Sequence, residues 1–123
     1  MAPFPKETDM LTRTALALVI ALAPLAAAQA AEKAAPGKSG KEVYDTVCAA
    51  CHATGVLNAP KMGDQKAWKP LIAEGVNALT RTAIKGIRQM PPRGGNASLT
   101  DAEMRRAVVY LANGSGAKFP EPK

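Results

Sequence analysis

Five consecutive residues constrain this chain more than anything else in it. Cys48-Ala49-Ala50-Cys51-His52 sets two thiols one helical turn apart, with an imidazole directly after the second. Both cysteines of the chain and its one histidine fall within this stretch. A thioredoxin-type dithiol needs a strand–helix–strand setting, which the surrounding sequence does not offer. A tetrahedral zinc site needs four ligands, and no other Cys or His is present to complete one. The pattern C-x-x-C-H that remains is the attachment motif of haem c. Two thiols at this separation can add to the vinyl groups of one porphyrin edge. His52 then follows closely enough to bind the iron through Nε2. One covalent haem c is therefore the expected cofactor, held by Cys48 and Cys51 with His52 as a metal ligand.

What precedes the motif supports export. Residues 16–28 form an apolar run after Arg13, closing in Ala28-Gln29-Ala30, the small-x-small pattern of a signal-peptidase site. The run is short for a membrane span and contains Pro24. Glu7 and Asp9 are unusual in a positive leader, and a start at Met10 would leave Arg13 as its one charge. An uncleaved anchor helix is the alternative. The expected organisation is a cleavable signal peptide over 1–30, a flexible leader over 31–38, one domain over 39–114 and a flexible tail over 115–123. Taken alone, two cysteines in an oxidising compartment would suggest a disulfide. Their spacing and the histidine after them say otherwise.

Composition agrees with a bound cofactor. Aromatic residues make up 4% of the chain, few for a small domain that must build a core from its own side chains. A haem would add apolar mass; an Ala-rich helical mini-domain is the plainer alternative. The formal net charge is +6, and losing residues 1–30 removes two cations and two anions, leaving it unchanged. The cations are scattered and not interleaved with aromatics, so nucleic acid is not an expected partner. Such a surface suits a partner with an acidic face, transient contact with an anionic membrane surface, or simple solubility.

The rest of the chain reads as helices and loops, with no strand. Ser39 and Glu42 form a capping box, and Val43, Val47 and the cysteines follow at helical spacing, predicting a helix over 40–51. Residues 53–63 read as an irregular loop. Asp64 can cap a helix carrying Trp68, which Pro70 would divide into two short pieces before Gly75 ends it. Residues 76–85 predict a helix stopped by Gly86. Residues 86–97, with two prolines and two adjacent glycines, predict a long irregular loop. Thr100 and Glu103 form a second capping box, opening a helix to about Asn113 with Met104, Ala107, Val108 and Leu111 on one face.

With one histidine in the chain, a sixth ligand must come from another residue type, or the site is open. After export the thioethers available are Met62, Met90 and Met104. Met104 falls on the apolar face of the last helix, where methionine usually packs. Met62 follows His52 closely, leaving a short path round a macrocycle. Met90, in the Pro/Gly loop, is the favoured ligand, with a loop methionine that only packs as the alternative; His/Met ligation raises the reduction potential, which suits an electron carrier.

The stretches SGKEVYDTVCAACHATG, NAPKMGDQKAW, MPPRGG and LTDAEMRRAVVYLAN resemble a class I cytochrome c, and in particular the bacterial cytochrome c5 family. The resemblance implies an all-α class I cytochrome c fold, three to five short helices wrapped around one haem. It implies thioethers at Cys48 and Cys51, axial ligands His52 and Met90, and a Pro60 carbonyl accepting from His52 Nδ1. Trp68 would donate its indole N–H toward a haem propionate, with a plain core aromatic as the alternative. Gly40 and Tyr44 would cross the last helix near Tyr110. Many c5 members carry a further cysteine pair in the region of 96–100; this chain has none, so its loop lacks that staple.

The expected function is one-electron transport between exported or membrane-bound redox proteins, in a bacterial periplasm, by a monomer that is not an enzyme. Lys61, Arg88 and Arg93 lie in loops that could rim an exposed haem edge and steer docking. A haem enzyme or gas sensor is the rival reading, but no second histidine or acid/base group accompanies the motif.

Overall fold

The computed structural model describes residues 37–123. The expected signal peptide over 1–30 and most of the leader, 31–36, lie outside the described residues. The first helix, α1, starts where its capping box sets it. The Glu42 N–H donates to the Ser39 hydroxyl at 3.2 Å, and the Ser39 N–H donates to the Glu42 carboxylate at 2.7 Å. Two of the amides that a helix start leaves without partners are thereby satisfied. The helix runs unbroken over 40–52: α-helical at Gly40–Val43, a π turn at Tyr44–Cys48, and α-helical again at Ala49–His52. The Ala49 N–H reaches back to the Tyr44 carbonyl, an i→i+5 bond. One extra residue in a turn rotates everything after it by about 100°. Cys48, the last residue of the π turn, packs against two apolar clusters.

A 3₁₀ turn at Val56–Asn58 leads to α2, Gln65–Ala73, whose Asp64 carboxylate accepts from the Ala67 N–H. Pro70 does not divide this helix as expected. A proline here removes only the bond to the Lys66 carbonyl, and Lys66 is exposed, so water can take that acceptor. The third helix, α3, covers Val76–Lys85 between Gly75 and Gly86, both at positive φ. The loop over 86–97 carries more order than expected. Ile87 and Met90 exchange backbone hydrogen bonds of 3.0 and 2.8 Å, and a 3₁₀ turn covers Pro92–Gly95. The last helix, α4, is Asp101–Asn113, opened by the Thr100–Glu103 capping box. Among the described residues there is no strand.

The α1–α4 crossing organises the core. A Cβ on Gly40 would stand 2.2 Å from the Arg106 carbonyl oxygen, so the two backbones meet directly there. Beside the crossing, Tyr44 and Tyr110 stack with ring centroids 5.4 Å apart. One cluster gathers Val43, Ala83, Leu99, Met104 and Ala107; the other gathers Tyr44, Trp68, Leu111, Ala112 and Ala117.

Both ends of the described chain carry anchoring contacts. Lys38 is tied down: its N–H donates to Glu103 Oε1 at 3.0 Å and its carbonyl accepts from Arg106 at 3.1 Å. At the other end, the Asn113 amide donates to the Phe119 carbonyl at 2.9 Å and accepts from its N–H at 2.8 Å. Ser115 is fully buried. Such anchoring depends on tertiary partners, which a polar, Gly-containing stretch does not announce.

Gly40→Ala should destabilise the protein by more than about 2 kcal/mol in denaturant unfolding, because backbone, not a movable side chain, occupies the Cβ position. A loss below about 0.5 kcal/mol would contradict the close crossing. Glu103 supplies a second prediction. Accepting from the Lys38 and Thr100 amides holds its carboxyl below the usual 4.5. Stability from this clamp is present above that value and is lost as pH falls through the lowered one. Acid titration of unfolding should show a shallower decline below about pH 4.5 in Glu103→Gln than in the native chain.

Candidate haem site

The motif closes α1. Cys48 and Cys51 are half-buried and unpaired, and His52 is buried. Burial pushes the Cys48 thiol up to about 11, so its surroundings favour an uncharged sulfur. A thioether is uncharged at every pH and fits that environment. The His52 ring is oriented by one hydrogen bond, Nδ1 to the Pro60 carbonyl at 2.8 Å, as the family resemblance implied. With Nδ1 as the donor, Nε2 is the nitrogen left with a lone pair for a metal.

Residues 60–63 form a strap over this histidine. The Met62 N–H donates to the His52 carbonyl at 2.8 Å, and the Gly63 N–H donates to Ser115 Oγ at 2.9 Å. The Trp68 indole N–H donates to the Lys61 carbonyl at 2.9 Å. In this structure its one donor is given to the strap. The Trp68 ring, 5% exposed, lies 6.2 Å from that of His52, centroid to centroid. It forms a wall beside His52.

The three candidate methionines occupy different settings. Met104 is 2% exposed in the core. Met62 packs its methyl group on Gly114, where any Cβ would collide with it. Met90 is half-buried in the turn after α3 and touches the cluster that includes Cys48. Gly86 permits that turn: its φ is +80°, and a Cβ there would stand 2.7 Å from the Met90 carbonyl oxygen.

The cations divide. Lys61 and Arg88 are exposed. Arg93, expected beside them, is spent on the fold: its guanidinium donates to the Leu99 carbonyl at 2.9 Å and to Asp101 at 2.6 Å. This bridge ties the loop to the start of α4 in a chain that has no disulfide there. Ser115 and Asn113 are the residues that sequence reasoning missed.

The site fits a haem. Two free thiols one turn apart and an imidazole oriented by its far nitrogen are the required donors. Val56, Leu57 and Ile87 stand 47%, 62% and 46% exposed, and they lie on the segments that follow the motif and precede Met90. A large apolar group would cover side chains that water otherwise wets. Among the described residues no three His, Cys, Asp or Glu side chains gather as a metal-binding group, so the zinc alternative has no ligand set.

Comparison with known proteins agrees. Residues 35–111 match the family model described as cytochrome c oxidase, cbb3-type, subunit III. The chain is 49% identical to cytochrome c-555 of Chlorobaculum tepidum over 81 residues, 63% of this chain and 75% of the relative. It is 41% identical to cytochrome c5 of Azotobacter vinelandii over 77 residues, 61% of this chain and 93% of the relative. Among solved structures it resembles one described as an electron transfer complex of nitrite reductase with cytochrome c. That match has a TM-score of 0.61 and 46% identity, covering 64% of this chain and 96% of the other. A mono-heme ferrocytochrome c from Shewanella putrefaciens matches with a TM-score of 0.56 and 31% identity, covering 61% and 93%.

Haem-stained denaturing gels of exported protein should show a covalent band that disappears in the Cys48→Ala, Cys51→Ala double variant. A stained band persisting in that variant would contradict thioether attachment. The chain belongs to the family of c-type cytochrome domains that the matched model describes, as a class I electron carrier with one covalent haem c.

Proposed function

We propose that this cytochrome is a periplasmic one-electron shuttle whose iron is held by His52 on one side and Met90 on the other. The observation that carries the ligand reading is the disposition of the thioethers. Met104 is a member of the core and Met62 packs its methyl group on Gly114, whereas Met90 sits in a hydrogen-bonded turn that Gly86 permits. When bound, the haem supplies a metal that gains and loses one electron. His52, oriented by Pro60, contributes a basic nitrogen that favours the oxidised metal; Met90 contributes a soft sulfur that favours the reduced one. The turn around Met90, closed by the Ile87 bonds and by Gly86, limits the movement of that sulfur and hence the rearrangement between redox states. The export signal expected over 1–30 supports the compartment.

The docking partner is a redox protein with an acidic face, met by Lys61 and Arg88 in a weak encounter of a monomer. A nitrite reductase is the partner in the solved complex of the related cytochrome, which supports a redox enzyme as the class. No substrate chemistry is assigned to the chain.

The oxidised protein should show the weak far-red band of Met-to-iron charge transfer. Met90→Ala should abolish it and yield a high-spin species that binds carbon monoxide rapidly. Retention of the band in Met90→Ala would rule the ligand out. Electron transfer to an acidic redox partner should slow with rising ionic strength, and Lys61→Ala with Arg88→Ala should flatten that dependence. A rate indifferent to salt would remove the steering role.

A further inference from the structure

The His52 ring is held by a strap that is itself held from two other places. Pro60 and Lys61 are consecutive, and each carbonyl accepts from a buried ring, His52 at 2.8 Å and Trp68 at 2.9 Å. Two residues on, the Gly63 N–H donates to Ser115 Oγ, and Ser115 Oγ donates to the Leu111 carbonyl at 2.8 Å. Ser115 has no exposed surface at all. Its hydroxyl therefore has both of its roles filled: it accepts from the strap and donates into the last turn of α4. Gly116 and Ala117 complete the turn behind it, with the Ala117 N–H bonded to the Ala112 carbonyl at 2.9 Å.

We propose that Ser115 is a positioning residue for His52, with Trp68 as its counterpart on the other flank of the strap. Ser115 fixes Gly63, Trp68 fixes Lys61, and the Pro60 carbonyl between the fixed points and His52 has little freedom left. Donation from Nδ1 to that carbonyl makes the imidazole more basic and favours the oxidised metal. Loosening either anchor weakens the donation, so the reduction potential rises. Ser115 bonds the strap at Gly63 and acts through it. The proposal rests on His52 being the iron ligand.

The test uses the exported holoprotein with Ser115→Ala, Trp68→Phe and, as control, Thr100→Ala, which removes a helix cap outside the strap at a comparable cost to stability. Two quantities are read: the reduction potential, and the exchange rate of the His52 Nδ1 proton in the reduced protein by NMR. Ser115→Ala should raise the potential and speed exchange roughly five- to tenfold, as expected for one lost hydrogen bond. Trp68→Phe, which keeps an aromatic ring in the wall, should move both in the same direction. Thr100→Ala should move neither. Native exchange and potential in both strap variants would overturn the proposal, as would equal shifts in the control. If Ser115→Ala fails to fold, Trp68→Phe carries the same comparison. His52 ring signals at ordinary aromatic positions in the native reduced protein would instead break the ligation reading, and the proposal with it.

Discussion

At Gly40 the backbone of α1 rests on the backbone of α4 with no side chain between them. That approach fixes the end of α1 opposite the motif. It brings Tyr44 onto Tyr110 and sets the axis along which the motif leaves the crossing. Four residues later the π turn begins, and Cys48 at its end packs against both clusters. Without the crossing, the extra residue would merely shift the helix surface. With it, the two thiols and His52 stand at the end of a helix whose other end is fixed.

The opposite side of His52 is controlled by a short, heavily bonded piece of irregular chain. Residues 60–63 form no repeating structure, yet their polar groups are bonded to a ring, a second ring, the end of α1 and the buried hydroxyl of Ser115. Precision here comes from the number of fixed points, not from regular geometry. On the Met90 side, order comes from a different device: a tight turn that glycine permits and reciprocal backbone bonds close. The two sides of the proposed iron site are thus built independently, one around a hydrogen-bonded strap and one around a turn. The Arg93–Asp101 bridge keeps the second tied to the start of α4.

Much of this was legible in the sequence because its causes are local. Capping boxes at Ser39 and Thr100, glycine stops at Gly75 and Gly86, and the C-x-x-C-H pattern each act within a few residues. Features that were not legible have distant causes. The π turn is an i→i+5 bond that no residue pattern within α1 announces. Lys38 and residues 115–119 look polar and loose, but their partners, Glu103 and Asn113, recruit them through side chains. The acceptor of the Trp68 indole in this structure, the Lys61 carbonyl, lies in irregular chain whose path no local pattern announces. Arg93 resembled a docking cation until the fold brought Leu99 and Asp101 within its reach.

The central claim is that the iron lies between His52 and Met90. Selective labelling of the methionine methyl groups in the reduced holoprotein tests it directly, because a methyl held over a porphyrin face is displaced far from the others. One such signal is predicted, and it should vanish in Met90→Leu while the methyl signals of Met62 and Met104 remain. A displaced signal that survives Met90→Leu and disappears instead with Met62 or Met104, or no displaced signal in the native protein, would contradict the account.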